Sequence, residues 1–238
     1  MNRPSATLTL CGALLITSGC VIDARERDTL IEPVRNVEIV VPADATIFVR
    51  VPAGDVDITN SPDDLLRGQM RIMCPDRESR CAKRLGDLEF TTETSADEVR
   101  VALSRDGMWQ FRHGNVEVDL QVPSEHTLNL DMSAGDVNVE VANCLAADIE
   151  AGDASFSVPL DRVRSVDLDT GVGDAALSVD GDWRAGRRSM LVGAEVHWHE
   201  GPGECEMMVD LQAGDLRVDL VDGLPDAELE TAKSAQSE

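Results

Sequence analysis

Between residues 37 and 221 apolar and polar residues alternate with a period of two, as in strands that bury one face. A second period lies over the first. The tripeptide Ala-Gly-Asp precedes an alternating run at Ala53-Gly54-Asp55, Ala134-Gly135-Asp136, Ala151-Gly152-Asp153 and Ala213-Gly214-Asp215. Val172-Gly173-Asp174 is a variant of it, and Val192-Gly193-Ala194 reads as a degenerate copy. From Gly135 onward these glycines are spaced 17, 21, 20 and 21 residues apart. Counted from each glycine, positions −7, −5, −3 and +2, +4, +6 are mostly apolar, as in Leu128, Leu130, Met132, Val137, Val139 and Val141. Positions −3 and +2 differ by an odd number, so a straight strand would send them to opposite faces. The chain must turn at the glycine, which supplies backbone angles closed to other residues, while Asp bonds nearby amides. Each unit is a strand–turn–strand with one apolar face, and units must stack to bury it.

Two all-β architectures satisfy this pattern. In a β-solenoid of rungs of about 20 residues, the two strands of a unit lie in different sheets across a thin core. In an antiparallel meander or sandwich, the same positions are cross-strand neighbours in a hairpin. The regular recurrence favours the solenoid. The stretch Val116–Pro123, followed by Leu128–Val139, resembles the bacterial putative-adhesin domain of unknown function, a family related to the toast-rack and head-GIN domains. Thr46–Ile58 is similar to the opening strand pair of that family. The resemblance covers about residues 37–221, and it implies a right-handed, β-helix-like fold without established catalytic residues. The loop between Cys74 and Cys81 falls outside the family pattern.

The two ends of the chain read differently. Arg3 precedes an uncharged run, Ala6–Ile16, too short to span a bilayer and of the length of a signal h-region. Ile16-Thr17-Ser18-Gly19-Cys20 resembles a bacterial lipobox, with Thr17 where Leu is usual. The resemblance implies cleavage before Cys20 and attachment of acyl chains such as palmitate, an anchor worth ~0.8 kcal/mol per buried methylene. Val21 stands where an inner-membrane retention signal places Asp, which implies the outer membrane of a Gram-negative bacterium. The expected organisation is a signal peptide at 1–19, a lipidated Cys20 and tether at 20–36, a folded domain at 37–221 and an acidic tail at 222–238.

Cys11 leaves with the signal, so Cys74, Cys81, Cys144 and Cys205 remain in an oxidising compartment. Cys74 and Cys81 flank a polar loop and are expected to pair. Cys144 and Cys205 each open the first strand of a unit. Rungs stacked in chain order would hold them ~14 Å apart at ~4.8 Å per rung, beyond the ~7 Å a disulfide allows. Both are therefore expected to stay reduced.

Charge and composition narrow the function. A net charge of −24 and pI near 4.3 exclude nucleic-acid binding, which needs a basic footprint. The absence of Tyr and an aromatic content of 3% make poor stacking material for sugars. No nucleophile elbow, phosphate loop or zincin helix is present, since Gly201-Pro202-Gly203 interrupts the sequence after His197 and Glu200. Two constellations stand out. The turn aspartates Asp136, Asp153, Asp174 and Asp215 would stack ~4.8 Å apart, each bonding its own turn amides or together sharing a divalent cation such as Ca²⁺. His197 and His199 point outward if Ala194, Val196 and Trp198 point inward. Aligning Ala194 with Ala175 and Leu216 sets His197 beside Ser178 and Asp219, and His199 beside Asp180, a donor set suited to Zn²⁺ or Cu²⁺. The expected function is that of a lipid-anchored envelope protein with a non-catalytic interaction or structural domain, whose partners are the membrane and an envelope protein or polysaccharide. The alternatives are a polysaccharide-binding or polysaccharide-active β-helix protein and a periplasmic metal-binding module.

Overall fold

A computed structural model describes residues 28–30, 34–75, 81, 85, 87–104, 115–141, 143–185, 187–189 and 193–222. The signal segment, Cys20 with residues 21–27, and the tail from residue 223 lie outside the described residues. Along the chain run β1 (Asp28–Leu30), β2 (Arg35–Val40), β3 (Thr46–Val51), β4 (Asp55–Ser61), β5 (Leu65–Pro75), β6 (Glu89–Thr94) and β7 (Glu98–Ser104). There follow β8 (Asn115–Pro123), β9 (Thr127–Met132), β10 (Val137–Glu140), β11 (Cys144–Ile149), β12 (Ala154–Pro159) and β13 (Val163–Val172). The last are β14 (Ala175–Val179), β15 (Asp182–Ala185), β16 (Arg187–Ser189), β17 (Gly193–Trp198), β18 (Cys205–Ala213) and β19 (Leu216–Val221). Pro75, Pro123 and Pro159 close β5, β8 and β12, as fits a residue with no N–H for the ladder.

These strands form two mixed sheets around one core. The first runs β5-β8-β4-β10-β12-β19-β14-β15, with β1 and β2 both paired to the outer side of β5. The second runs β16-β17-β13-β18-β11-β9-β3-β7-β6. Each sequence unit contributes one strand to each sheet, and neighbouring units pair in parallel. Register follows the apolar positions. Val49, Leu130, Ala147, Val209 and Leu168 form one inward row of the second sheet. Leu120, Ile58, Val139, Phe156, Val218 and Leu177 form the matching row of the first. All are buried, and removing one large aliphatic side chain from water is worth about 1.5–3 kcal/mol.

The turn glycines stack into a column at one end of the rungs. Gly135 has φ +122° and Gly214 φ +141°, a region that only glycine enters cheaply. Contact between rungs is also too close for a side chain, because a Cβ on Gly214 would lie 1.8 Å from the Gly152 carbonyl oxygen. The Gly135 amide donates to the Ala151 carbonyl at 3.0 Å and that of Gly152 to Ala213 at 3.0 Å. At the opposite end the buried Asn143 side chain donates through Nδ2 to the carbonyls of Pro123 and His126, both at 2.7 Å, clasping two successive connections.

The rungs do not stack in chain order, and this corrects the expectation of a solenoid wound from first unit to last. The pair β18/β19 sits between β11/β12 and β13/β14, and β7/β8 lies outside β3/β4. Among the described residues antiparallel pairing is confined to the two ends. The result is a two-sheet sandwich with a parallel centre. After β17 the chain crosses the start of β13 to reach its far side, and Gly201-Pro202-Gly203 makes that crossing. The Gly201 amide donates to the Arg164 carbonyl at 3.1 Å and that of Gly203 to the Val163 carbonyl at 3.2 Å. A Cβ at Gly201 would meet the Val163 oxygen at 1.9 Å. Gly193, taken from the sequence as a degenerate turn, instead opens β17, which runs antiparallel to β13.

The rung order also overturns the expectation for two cysteines. With β18 beside β11, Cys144 and Cys205 are neighbours and form a disulfide with Cα atoms 5.2 Å apart. The ~14 Å separation assumed units in chain order. Cys74 and Cys81 form the second disulfide, 5.8 Å between Cα atoms, as expected from the sequence.

Candidate functional site

The turn aspartates follow the glycine column in the spatial order Asp136, Asp153, Asp215, Asp174. The first three carboxylates serve the next rung, not their own turns. The Asp153 amide donates to Asp136 Oδ1 at 3.1 Å, the Asp215 amide to Asp153 Oδ1 at 3.0 Å, and the Asp174 amide to Asp215 Oδ1 at 3.1 Å. A groove of about 500 Å³ runs along the four, with Ser155, Ala176 and Arg217 on its wall.

The quartet His197, His199, Asp180 and Asp219 is not assembled. His197 lies in β17 of the second sheet and His199 just beyond it, whereas Asp219 lies in β19 of the first sheet and Asp180 follows β14. The alignment that joined them took β17 for a rung strand, but Ala194 pairs with Thr170 and His197 with Asp167. Ser178 and Asp219 do pair, away from the imidazoles. Asp180 occupies a tight turn at φ 50°, where desolvation and then the charges of Asp222 and Asp182 push its carboxyl above the usual range. Among the described residues no three His, Cys, Asp or Glu side chains are grouped to hold a metal ion.

Around the two histidines the second sheet builds a different cluster. His197 Nδ1–H donates to Asp167 Oδ1 at 2.9 Å, and His199 Nε2 lies 3.9 Å from the same oxygen. The hydrogen bond to Asp167 raises the His197 pKa above the usual imidazole value, and the charges of Asp167, Glu195 and Asp169 add to it.

This cluster ends a longer surface on the outer face of the second sheet. Arg50, Asp131, Asp148, Asp210, Asp169 and Glu195 are successive in-register neighbours across six strands. Arg50 Nε meets Asp131 Oδ2 at 3.3 Å at one end of the row. Asp210, near the middle, has its carboxyl pushed upward by desolvation first and then by Asp169 and Asp148. A second row beside it holds Phe48, Asn129, Ala146, Met208, Asp167 and His197. Arg100 stacks over the Phe48 ring at 4.8 Å, and Met208 is 55% exposed. Between the rows lies a groove of about 660 Å³. The acidic row escaped the sequence reading although its signal is plain. Asp131, Asp148, Asp169 and Asp210 each stand four residues before a turn glycine, at the outward position between the apolar −5 and −3.

No family model matches the chain, and no curated protein matches it. Among solved structures it is similar to a "putative cell adhesion protein" from Clostridium sporogenes, at 14% identity over 79% of this chain and 100% of that one, with TM-score 0.43. It is similar to a "putative adhesin" from Parabacteroides merdae, at 7% identity over 78% and 77% of the two chains, with TM-score 0.25. A "putative lipid binding protein" from Parabacteroides distasonis is similar at 10% identity over 80% and 95%, with TM-score 0.24.

Proposed function

We propose that this chain is a lipid-anchored protein of the cell envelope, held at Cys20, whose two-sheet domain is a non-catalytic interaction and structural module. It meets its partner, an envelope protein with a basic surface, on the outer face of the second sheet. The acidic row on that face carries the reading. Like charges in register across neighbouring strands cost stability, and outward positions tolerate Ser, Thr or Lys equally well, so folding alone does not call for them. The exposed Met208 beside the row adds the apolar contact that gives a charged surface affinity.

A photo-crosslinking residue at position 208 tests the face, with position 138 on the outer face of the first sheet as control. Adducts to one envelope partner at 208 and none at 138 support the proposal. Equal labelling at both positions overturns it. The address is tested separately by labelled palmitate, which is expected on the native chain and absent from Cys20→Ala.

A further inference from the structure

The stack of rungs has two ends, and each is a pair of open strand edges. At one end the second sheet finishes on β6 and the first on β1 and β2, which lie along the same edge of β5. At the other they finish on β16 and β15. Among the described residues each of these five strands is paired on one side only. β6 is six residues without proline, all exposed except Phe90. An unpaired edge of that kind is a template for another strand.

Strand directions show what fits. In the second sheet the rung strands run toward the glycine turns, as does β7, which is parallel to β3, so antiparallel β6 runs away from them. At the other end β17 runs away from the turns and β16 toward them. In the first sheet the rung strands leave the turns, β5 returns, and β2 leaves again, while β15 runs toward them. Translating one copy along the stack therefore brings β16 antiparallel to β6 and β15 antiparallel to β2. Both junctions have the sense that the ends already use.

Charge agrees with direction. At the junction of the second sheets β16 carries the adjacent Arg187 and Arg188, in a chain whose net charge is −24, while β15 and β2 are each neutral in sum. The opposite edge carries Glu89 and Glu93 in β6. We propose that copies of this chain associate head to tail, the β15/β16 edge of one adding to the β2/β6 edge of the next. Such a contact is heterologous and does not close, so it builds rows, not dimers. β1 begins at the turn end, where Asp28 pairs with Pro75, so the first described strand of every copy starts on the same side of a row. The outer face of the second sheet stays free along the row.

The test uses the full chain extracted in a mild detergent. Sedimentation at rising concentration is expected to show a series of oligomers that weakens as salt screens the junction. Arg187→Glu/Arg188→Glu and Glu89→Arg/Glu93→Arg should each weaken association roughly tenfold or more, with unchanged melting curves showing that both fold. Mixing the two variants restores opposite charges at every junction and should restore the series. Introduced cysteines at Thr92 and Ser189 should cross-link different copies in native membranes. A chain that stays monomeric at all concentrations overturns the proposal. So do oligomers indifferent to charge reversal, variants that fail to rescue each other, or cross-linking of Thr92→Cys to itself in a symmetric pair.

Discussion

Asp136, Asp153, Asp215 and Asp174 stand one residue after the turn glycines, and Asp131, Asp148, Asp210 and Asp169 stand four before them. Both sets therefore repeat at the rung spacing of ~4.8 Å. At the turns three successive rungs each offer a backbone amide to the carboxylate of the rung before, at 3.0–3.1 Å. On the outer face the amides are already spent in the sheet ladder, and the carboxylates face one another. A repeated charge thus stabilises a stack only where the backbone supplies donors at the same repeat. Where it does not, the charge is a cost, and its presence points to use outside the fold.

The comparison breaks most severely if the turns themselves are changed. Gly214→Ala puts a Cβ 1.8 Å from the Gly152 oxygen at φ +141°, and should cost about 4 kcal/mol or prevent folding, near the upper end for point mutants. Gly181→Ala is the control, since Gly181 also has positive φ, +82°, but nothing lies within 4 Å of its Cβ. It should cost about 1 kcal/mol, the ordinary penalty for a left-handed residue. Urea titration measures both. Equal losses would mean that strain in φ, and not contact between rungs, governs the column. Next in size is Cys144→Ser/Cys205→Ser, which frees the rung interposed between β11/β12 and β13/β14 and with it both ladders. Its bond spans 61 residues against 7 for Cys74–Cys81. Chain entropy then gives losses of about 4 and about 2 kcal/mol, readable as urea midpoints of the oxidised variants.

Much of this was legible because a strand–turn–strand unit writes itself in local periods. The alternation placed Leu130 and Val139 in the core, and the odd step at Gly135 required the turn. Rung order was not legible, because each unit presents nearly the same edge to its neighbours, and nothing in the repeat says which copy lies beside which. The signal that existed was long-range. Cys144 and Cys205 each open a unit, and their pairing would have demanded neighbouring rungs. Gly201-Pro202-Gly203 marked the crossing over β13, but a crossing is visible only once the strand beneath it is known. The acidic row could have been found at position −4. His197 was placed on the wrong neighbours because Gly193 was counted as a turn, whereas it begins an antiparallel end strand.

The direct test of the two ladders compares Asp153→Ala with Asp148→Asn. Asp153 accepts the Asp215 amide, so its loss should cost about 1 kcal/mol, typical of one hydrogen bond near the surface. Asp148 stands between Asp131 and Asp210, and its neutralisation should stabilise the chain by a few tenths of a kcal/mol, the scale of a cross-strand like-charge pair. Urea midpoints at low salt should move in opposite directions. Movement in the same direction would erase the distinction between the ladders.

The smallest effect is the response to pH, and its sign follows from the surroundings of the outer face. His197 has a pKa raised above 6.5 by Asp167 and its acidic neighbours. The folded chain thus holds that proton more tightly than the unfolded one, and the stability gained is full below pH 6.5 and is lost as pH rises through the folded value. Asp210 is raised above 3.8 by desolvation and by Asp169 and Asp148, so folding binds its proton too, and stability rises as acid relieves the row. Asp63 has the opposite sign, because hydrogen bonding to Arg67 holds it at about 2. Its contribution is present above 3.8 and is lost only as pH falls toward about 2. The melting temperature at low salt should therefore climb modestly from pH 8 down to between 4 and 5 before acid denaturation begins. Asp210→Asn should flatten the lower part of that climb and His197→Gln the part near neutrality. A melting temperature that rises with pH across the same interval would show that the outer carboxylates are not in each other's field, and would remove the cost that argues for a partner.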